Sequence, residues 1–103
     1  MSIYAAINNL KLNAPVSVAS AQDFLNTLSP LVREQLISAI YLGREHIHVS
    51  QLRDDVEINR AYTDHIPKDD YAKILHEKGA SAISYLEKLV SCAKASEFDL
   101  DAL

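Results

Sequence analysis

The chain has 103 residues, of which 49% are hydrophobic and 23% charged, and its formal net charge at pH 7 is −4. This composition predicts one ordinary globular domain over residues 1–103 and argues against wholesale disorder. No apolar run approaches the ~20 residues that a membrane span requires, and the acidic balance disfavours nucleic acid, which is a polyanion.

Two features of the sequence predict a cytoplasmic location. Cys92 is the only cysteine, so the chain cannot form an internal disulfide, and disulfides are typical of oxidising compartments. The N-terminal residues lack the basic start and the apolar block of a signal peptide. We therefore expect a protein of the reducing cytoplasm.

The backbone pattern predicts an all-α fold, a compact bundle of five or six helices with orthogonal or irregular packing. Only two glycines and three prolines occur, and the alternation typical of half-buried strands is rare. A first short helix is expected over 3–10 and a second over 20–28. We expect residues 1–19 to be peripheral to the domain.

A central helix over 29–47 is the strongest local prediction. Ser29 offers the short side-chain oxygen of an N-cap, and Pro30 suits the first helical position. Apolar residues then recur at helical spacing, which predicts a broad buried face. Gly43 lies on this face, so we predict that it allows a close contact with another helix. The face contains Val32, Leu36, Ala39, Ile40, Gly43 and Ile47.

Three more helices are predicted in the second half of the chain. The first covers 50–62, with Leu52, Val56, Ile58 and Tyr62 expected on its inward face. The second covers 67–78 and ends at Gly79, where a left-handed residue is favoured. The third covers 81–95, and the tail 96–103 either docks by its apolar side or frays. The core is expected to contain Leu36, Ile40, Tyr41, Ile74, Leu75, Leu86, Leu89 and Val90.

The chain resembles a small uncharacterised family of bacterial all-helical domains in the segments AIYLGRE, DYAKILHEKGASAISYLEKLVSCA and DLDAL. In that family a helix with a hydrophobic-Gly-Arg motif precedes a variable middle and a Tyr-Leu-Glu helix. The matching positions are Leu42-Gly43-Arg44 and Tyr85-Leu86-Glu87. The resemblance implies an all-helical bacterial protein, and it implies neither an activity nor a catalytic residue.

The densest polar cluster contains the only candidate metal ligands, Glu45 and His48. Their Glu-x-x-His spacing is that of di-iron helical proteins, which need the pair twice and two further glutamates. Because one pair supplies two ligands and stable sites take three or four, we expect no bound metal and no cofactor. A homodimer would supply the second pair. The simpler interpretation is a polar helix end, where His46 and His48 meet the last carbonyls.

No catalytic motif stands out, so an enzyme is the least favoured class. Cys92 has no CxxC partner and lies near a helix C-terminus, which predicts a buried small hydrophobe. His65 and His76 lie on other segments. Whether they converge with the Glu45-x-x-His48 pair is left open by the sequence.

Two function classes remain. The first is a non-enzymatic protein-interaction or structural module that self-associates, as a homodimer for example, because the apolar faces of the central and last helices are wider than a small bundle needs. The second is a regulatory domain that binds nucleic acid or an anionic ligand through Arg44, Arg53 and Arg60. The acidic residues of 54–57 weigh against nucleic acid, since they would face the phosphates.

Overall fold

Five α-helices and three short 3₁₀ turns make up the chain, with no strand, in a computed structural model that describes all 103 residues. The helices are α1 (Ile3–Leu12), α2 (Val18–Asn26), α3 (Pro30–Glu45), α4 (Tyr71–Lys78) and α5 (Ala80–Ala95). The 3₁₀ turns are Arg60–Thr63, Lys68–Asp70 and Leu100–Ala102. The predicted all-α class with five irregularly packed helices is confirmed. None of the helices combines the length and the apolarity that crossing a bilayer requires.

The centre of the domain is the contact between α3 and α5, which is the most extensive of all helix pairs. α3 begins as predicted, since the Ser29 hydroxyl accepts a hydrogen bond from the Val32 N–H at 3.2 Å and Pro30 occupies the first turn. Such a cap satisfies an N–H that has no partner within the helix. The side chains of Leu36 and Ile40 point into the core and are fully buried.

The N-terminal segment is not peripheral, so that expectation is wrong for the residues of α1. This helix packs against α3, α5 and the C-terminal turn. It buries one stripe with helical spacing, formed by Ile3, Ala6, Ile7 and Leu10. Because this stripe is as apolar as that of the longer helices, its burial stabilises the domain like the rest of the core.

The helix predicted over 50–62 is absent. Residues 46–59 are irregular, and only the 3₁₀ turn Arg60–Thr63 follows them. Two N–H groups in this segment bond to distant side chains and not to helical carbonyls: Leu52 donates to Ser96 Oγ at 2.9 Å and Arg53 donates to His46 Nε2 at 3.0 Å. Three of the four predicted inward side chains still pack against the core, namely Leu52, Val56 and Ile58. The fourth, Tyr62, is exposed.

Other helix boundaries differ by a few residues from the prediction. α2 begins at Val18, because Ser17 and Ser20 bond each other's backbone N–H in a capping box. The segment before α4 is a 3₁₀ turn over Lys68–Asp70, so the regular helix starts only at Tyr71. Gly79 ends α4 as predicted, with a φ of +49°.

The predicted core is largely confirmed. Leu36, Ile40, Leu75, Leu86 and Leu89 are buried. The other three predicted members are half-buried against that core, and they are Tyr41, Ile74 and Val90.

The C-terminal tail docks on the bundle. Leu100 and Leu103 are buried. The buried amide of Gln35 donates to the backbone carbonyls of Asp101 at 3.0 Å and of Leu103 at 3.3 Å. The Tyr4 hydroxyl accepts from the Leu100 N–H at 2.8 Å, so α1 and α3 both hold the tail.

Candidate functional site

His46 is a fully buried residue that joins the end of α3 to the irregular segment 46–59. Its ring Nδ1 lies 2.7 Å from the Leu42 carbonyl oxygen, and its Nε2 lies 3.0 Å from the Arg53 backbone nitrogen. A carbonyl only accepts and an amide N–H only donates, so the ring is the neutral tautomer with its proton on Nδ1. The predicted contact between a helix-end histidine and the last carbonyls is therefore confirmed for His46.

The segment 46–59 is also fastened to α5. The Cys92 thiol donates to the Val49 carbonyl at 3.6 Å, and the Ser96 hydroxyl holds the Leu52 N–H. Cys92 is fully buried, as its interpretation as a small hydrophobe predicts. The outer side of the segment forms an open groove of about 780 Å³ with Lys88. The segment is thus an irregular connection held at three points on a helical scaffold.

The candidate metal ligands do not lie on one helical face. Glu45 is the last residue of α3, and His48 is an exposed residue in the turn beyond it. The Glu45 carboxylate accepts a hydrogen bond from the Tyr62 hydroxyl at 3.0 Å. No three His, Cys, Asp or Glu side chains come together as a metal-binding group. The expectation that the chain binds no transition metal stays a prediction, which elemental analysis of untagged protein tests.

The three candidate arginines have separate surroundings. Arg53 donates from Nε to Asp55 at 2.9 Å and from Nη1 to the Glu45 carbonyl at 3.3 Å. Arg60 pairs with Glu34 at 2.8 Å. Arg44 is exposed on the last turn of α3. Two of the three guanidinium groups therefore already have carboxylate partners within the chain.

A cleft of about 730 Å³ lies between α3, the segment 62–67 and α4, and we call it the tyrosine cleft. Tyr41 and Tyr62 line it, together with the charged side chains of Asp70, Lys73 and Glu77. The hydrogen bond to Glu45, with burial and the charge of the same carboxylate, holds the pKa of Tyr62 above its ordinary value. The same hydrogen bond orients the Tyr62 ring, which lines the cleft.

A second surface feature lies at the turn between α1 and α2. Residues 12–22 form a run of eleven without a charged side chain. Three large aliphatic side chains in this run project into solvent: Leu12 is 79% exposed, Val16 87% and Val18 45%. We call residues 12–22 the α1–α2 corner. The absence of charged residues between Lys11 and Asp23 is a signal for this corner in the sequence. Periodicity alone, however, could not show which side chains of the corner stay exposed.

No protein-family model, curated protein or solved structure matches the chain. The resemblance to a bacterial family of all-helical domains stays a prediction. Function is therefore inferred from the surfaces described above and from their chemistry.

Proposed function

We propose that the protein is a non-enzymatic interaction module of the bacterial cytoplasm that self-associates through the α1–α2 corner. The observation that carries the proposal is the exposure of Leu12, Val16 and Val18 within an uncharged stretch. Isolated exposed aliphatic residues are normal, whereas a group of them on one surface is typical of a protein–protein contact.

A second copy of this chain is the occupant that fits the corner best. Two copies each carry a net charge of −4, so they repel each other at long range. The corner lacks charged side chains, and a two-fold axis through it would set uncharged surface against uncharged surface. Such a contact is self-complementary without any ion pair.

The expected dimer is reversible. Full burial of one large aliphatic side chain stabilises a contact by about 1.5–3 kcal/mol. Association costs roughly 4–15 kcal/mol in translational and rotational freedom. Because Val18 is only 45% exposed in the monomer, it contributes less than full burial, and a dimer held by this small contact should dissociate on dilution.

The test is sedimentation velocity over a wide range of protein concentration, with the wild type and the Val16→Glu variant. The wild type should show a mass that rises with concentration toward that of a dimer. Val16→Glu should remain a monomer, because the contact would bury a carboxylate without a partner. Added salt should leave the wild-type association unchanged or stronger, since no ion pair holds it.

The matched control is Ile47→Glu, which adds the same charge at another aliphatic residue, 41% exposed, outside the corner. This variant should associate like the wild type. A wild type that stays monomeric at every concentration would overturn the proposal, as would a Val16→Glu variant that dimerises normally.

An anionic ligand bound through Arg44, Arg53 and Arg60 is the second proposal, and it has less support. The ion pairs of Arg53 with Asp55 and of Arg60 with Glu34 would compete with such a ligand. Binding to duplex DNA that weakens steeply with salt would favour it.

A further inference from the structure

A lysine of this chain lies against the ring of Tyr41, one of the residues that line the tyrosine cleft. The Nζ of Lys78 lies 4.8 Å from the centroid of the Tyr41 ring. Cations are attracted to the electron-rich face of an aromatic ring at this distance. The ring that lines the cleft therefore stabilises an ammonium group.

We propose that the tyrosine cleft binds the lysine side chain of a peptide segment in a partner protein. The incoming ammonium group would lie between the Tyr41 ring, the Tyr62 ring and the Asp70 carboxylate, in competition with Lys78 for the face of Tyr41. This site is separate from the α1–α2 corner, so the two proposals succeed or fail independently.

The lining of the cleft carries two carboxylates, Asp70 and Glu77, and one lysine, Lys73. Asp70 forms no ion pair within the chain, whereas Glu77 lies 4.0 Å from Lys73 at the limit of a salt bridge. Asp70 is the last residue of the Lys68–Asp70 turn, and its side chain is exposed. Its free carboxylate offers an acceptor for the incoming ammonium group. The net charge of −4 of the whole chain adds a long-range attraction for basic partners.

The shape of the cleft suits a peptide. Its volume of about 730 Å³ lies within the usual range of ligand sites, roughly 300–1,000 Å³. Ile66, Pro67 and Ile74 add apolar surface along which the methylene groups of a lysine can lie. Tyr62 is 40% exposed and is held by Glu45, so its ring presents a preformed wall.

The experiment is an NMR titration of ¹⁵N-labelled protein with a capped peptide that contains one lysine, against the same peptide with that lysine acetylated. The free lysine should shift the amide signals of the 62–67 segment and of α4. The acetylated peptide, which has lost the charge, should produce no such shifts. Equal binding of the two peptides, or no binding of either, would overturn the proposal.

A second experiment uses the Lys78→Met variant. This change removes the ammonium group that competes for the Tyr41 ring and keeps an apolar side chain of similar length. Affinity for the lysine peptide should rise about two- to fivefold, the equivalent of one exposed cation–π contact. Lys88→Met removes the same charge outside the cleft and should leave the affinity unchanged. An affinity for the Lys78→Met variant that is unchanged or weaker would contradict the proposal.

Two further variants test the groups that would contact the ligand. Asp70→Asn should weaken binding with little effect on folding, because Asp70 is exposed and unpaired. Tyr41→Leu should also weaken binding, since leucine keeps apolar surface but has no aromatic face. Retained affinity in Asp70→Asn would show that its carboxylate takes no part and would overturn the proposed site.

Discussion

Gly43 of α3 lies directly against the backbone of Tyr85 in α5, at the point where the two longest helices come together. A Cβ atom at position 43 would lie 2.5 Å from the Tyr85 carbonyl carbon and closer still to its oxygen. α3 continues past Gly43 to Glu45. The prediction that Gly43 permits a close helix contact and does not end the helix is confirmed.

The first prediction is that Gly43→Ala lowers the stability of the protein. The added methyl group meets backbone, which cannot move aside without shifting a helix, and overpacking of this kind costs about 1–3 kcal/mol. This cost should outweigh the ~1 kcal/mol that alanine gains over glycine within a helix. Urea unfolding measures the change in free energy.

The control for Gly43→Ala is Ser91→Ala at an exposed position of α5. It should change stability by less than about 0.5 kcal/mol. A Gly43→Ala variant with a higher melting temperature than the wild type would contradict the close contact.

The parts of the fold that depend on local chemistry could be predicted from the sequence. The start of α3 is specified by Ser29, whose side chain caps the helix, and by Pro30, whose ring fixes a φ suited to the first helical turn. Gly79 ends α4 through its own backbone freedom. Helical periodicity also identified most of the inward side chains, even in the segment 50–62, where the helix itself is absent. It was wrong for Ile47, which lies beyond the end of α3, and for Tyr62, since both are exposed.

The largest error, the helix predicted over 50–62, has its cause in side-chain partners outside the helical pattern. Two N–H groups of the irregular segment 46–59 bond to His46 and Ser96, and Ser96 is 44 positions away from Leu52. The error at the start of α2 is local, since the Ser17–Ser20 capping box fixes that end. The candidate surfaces were missed for a related reason. Exposure of Val16 and the approach of Lys78 to Tyr41 follow from packing, which no local pattern specifies.

The second prediction concerns the core. Leu36 is fully buried on α3, so Leu36→Ala should cost about 2–5 kcal/mol through lost burial and the cavity that it leaves. The matched control is Leu31→Ala, on the first turn of the same helix and 45% exposed. The free energy of unfolding should fall far less for the control. Equal losses in the two variants would contradict the assigned core.

The third prediction is a dependence of stability on pH through Asp99. Its carboxylate accepts from the Asp101 N–H at 3.0 Å and from the Tyr4 hydroxyl at 2.9 Å, and these bonds hold the pKa of Asp99 below its ordinary value. Because the pKa of the folded state is lower than that of the unfolded chain, about 3.9, the stabilisation is fully present above that value. It is lost as the pH falls through the pKa of the folded state.

Asp99→Asn should therefore lower stability at neutral pH, and the deficit relative to the wild type should shrink below about pH 4. Thermal unfolding at a series of pH values measures this difference. Asp23→Asn removes the same charge at an exposed position of α2 and should lower stability at neutral pH far less than Asp99→Asn does. A constant deficit for Asp99→Asn at all pH values would mean that its charge is not involved.

The last prediction concerns the buried ring of His46. His46→Leu keeps an apolar side chain but removes the partners of the Leu42 carbonyl and the Arg53 N–H. A buried polar group without a partner costs about 1–3 kcal/mol, so the variant should be clearly destabilised. The loss should be concentrated in the segment 46–59, where hydrogen exchange of the backbone amides should accelerate before that of α3 and α5.

The control is His48→Leu, at the exposed neighbouring histidine, which should leave both stability and exchange close to the wild type. If His46→Leu leaves exchange in this segment unchanged, the ring does not hold the segment against the bundle.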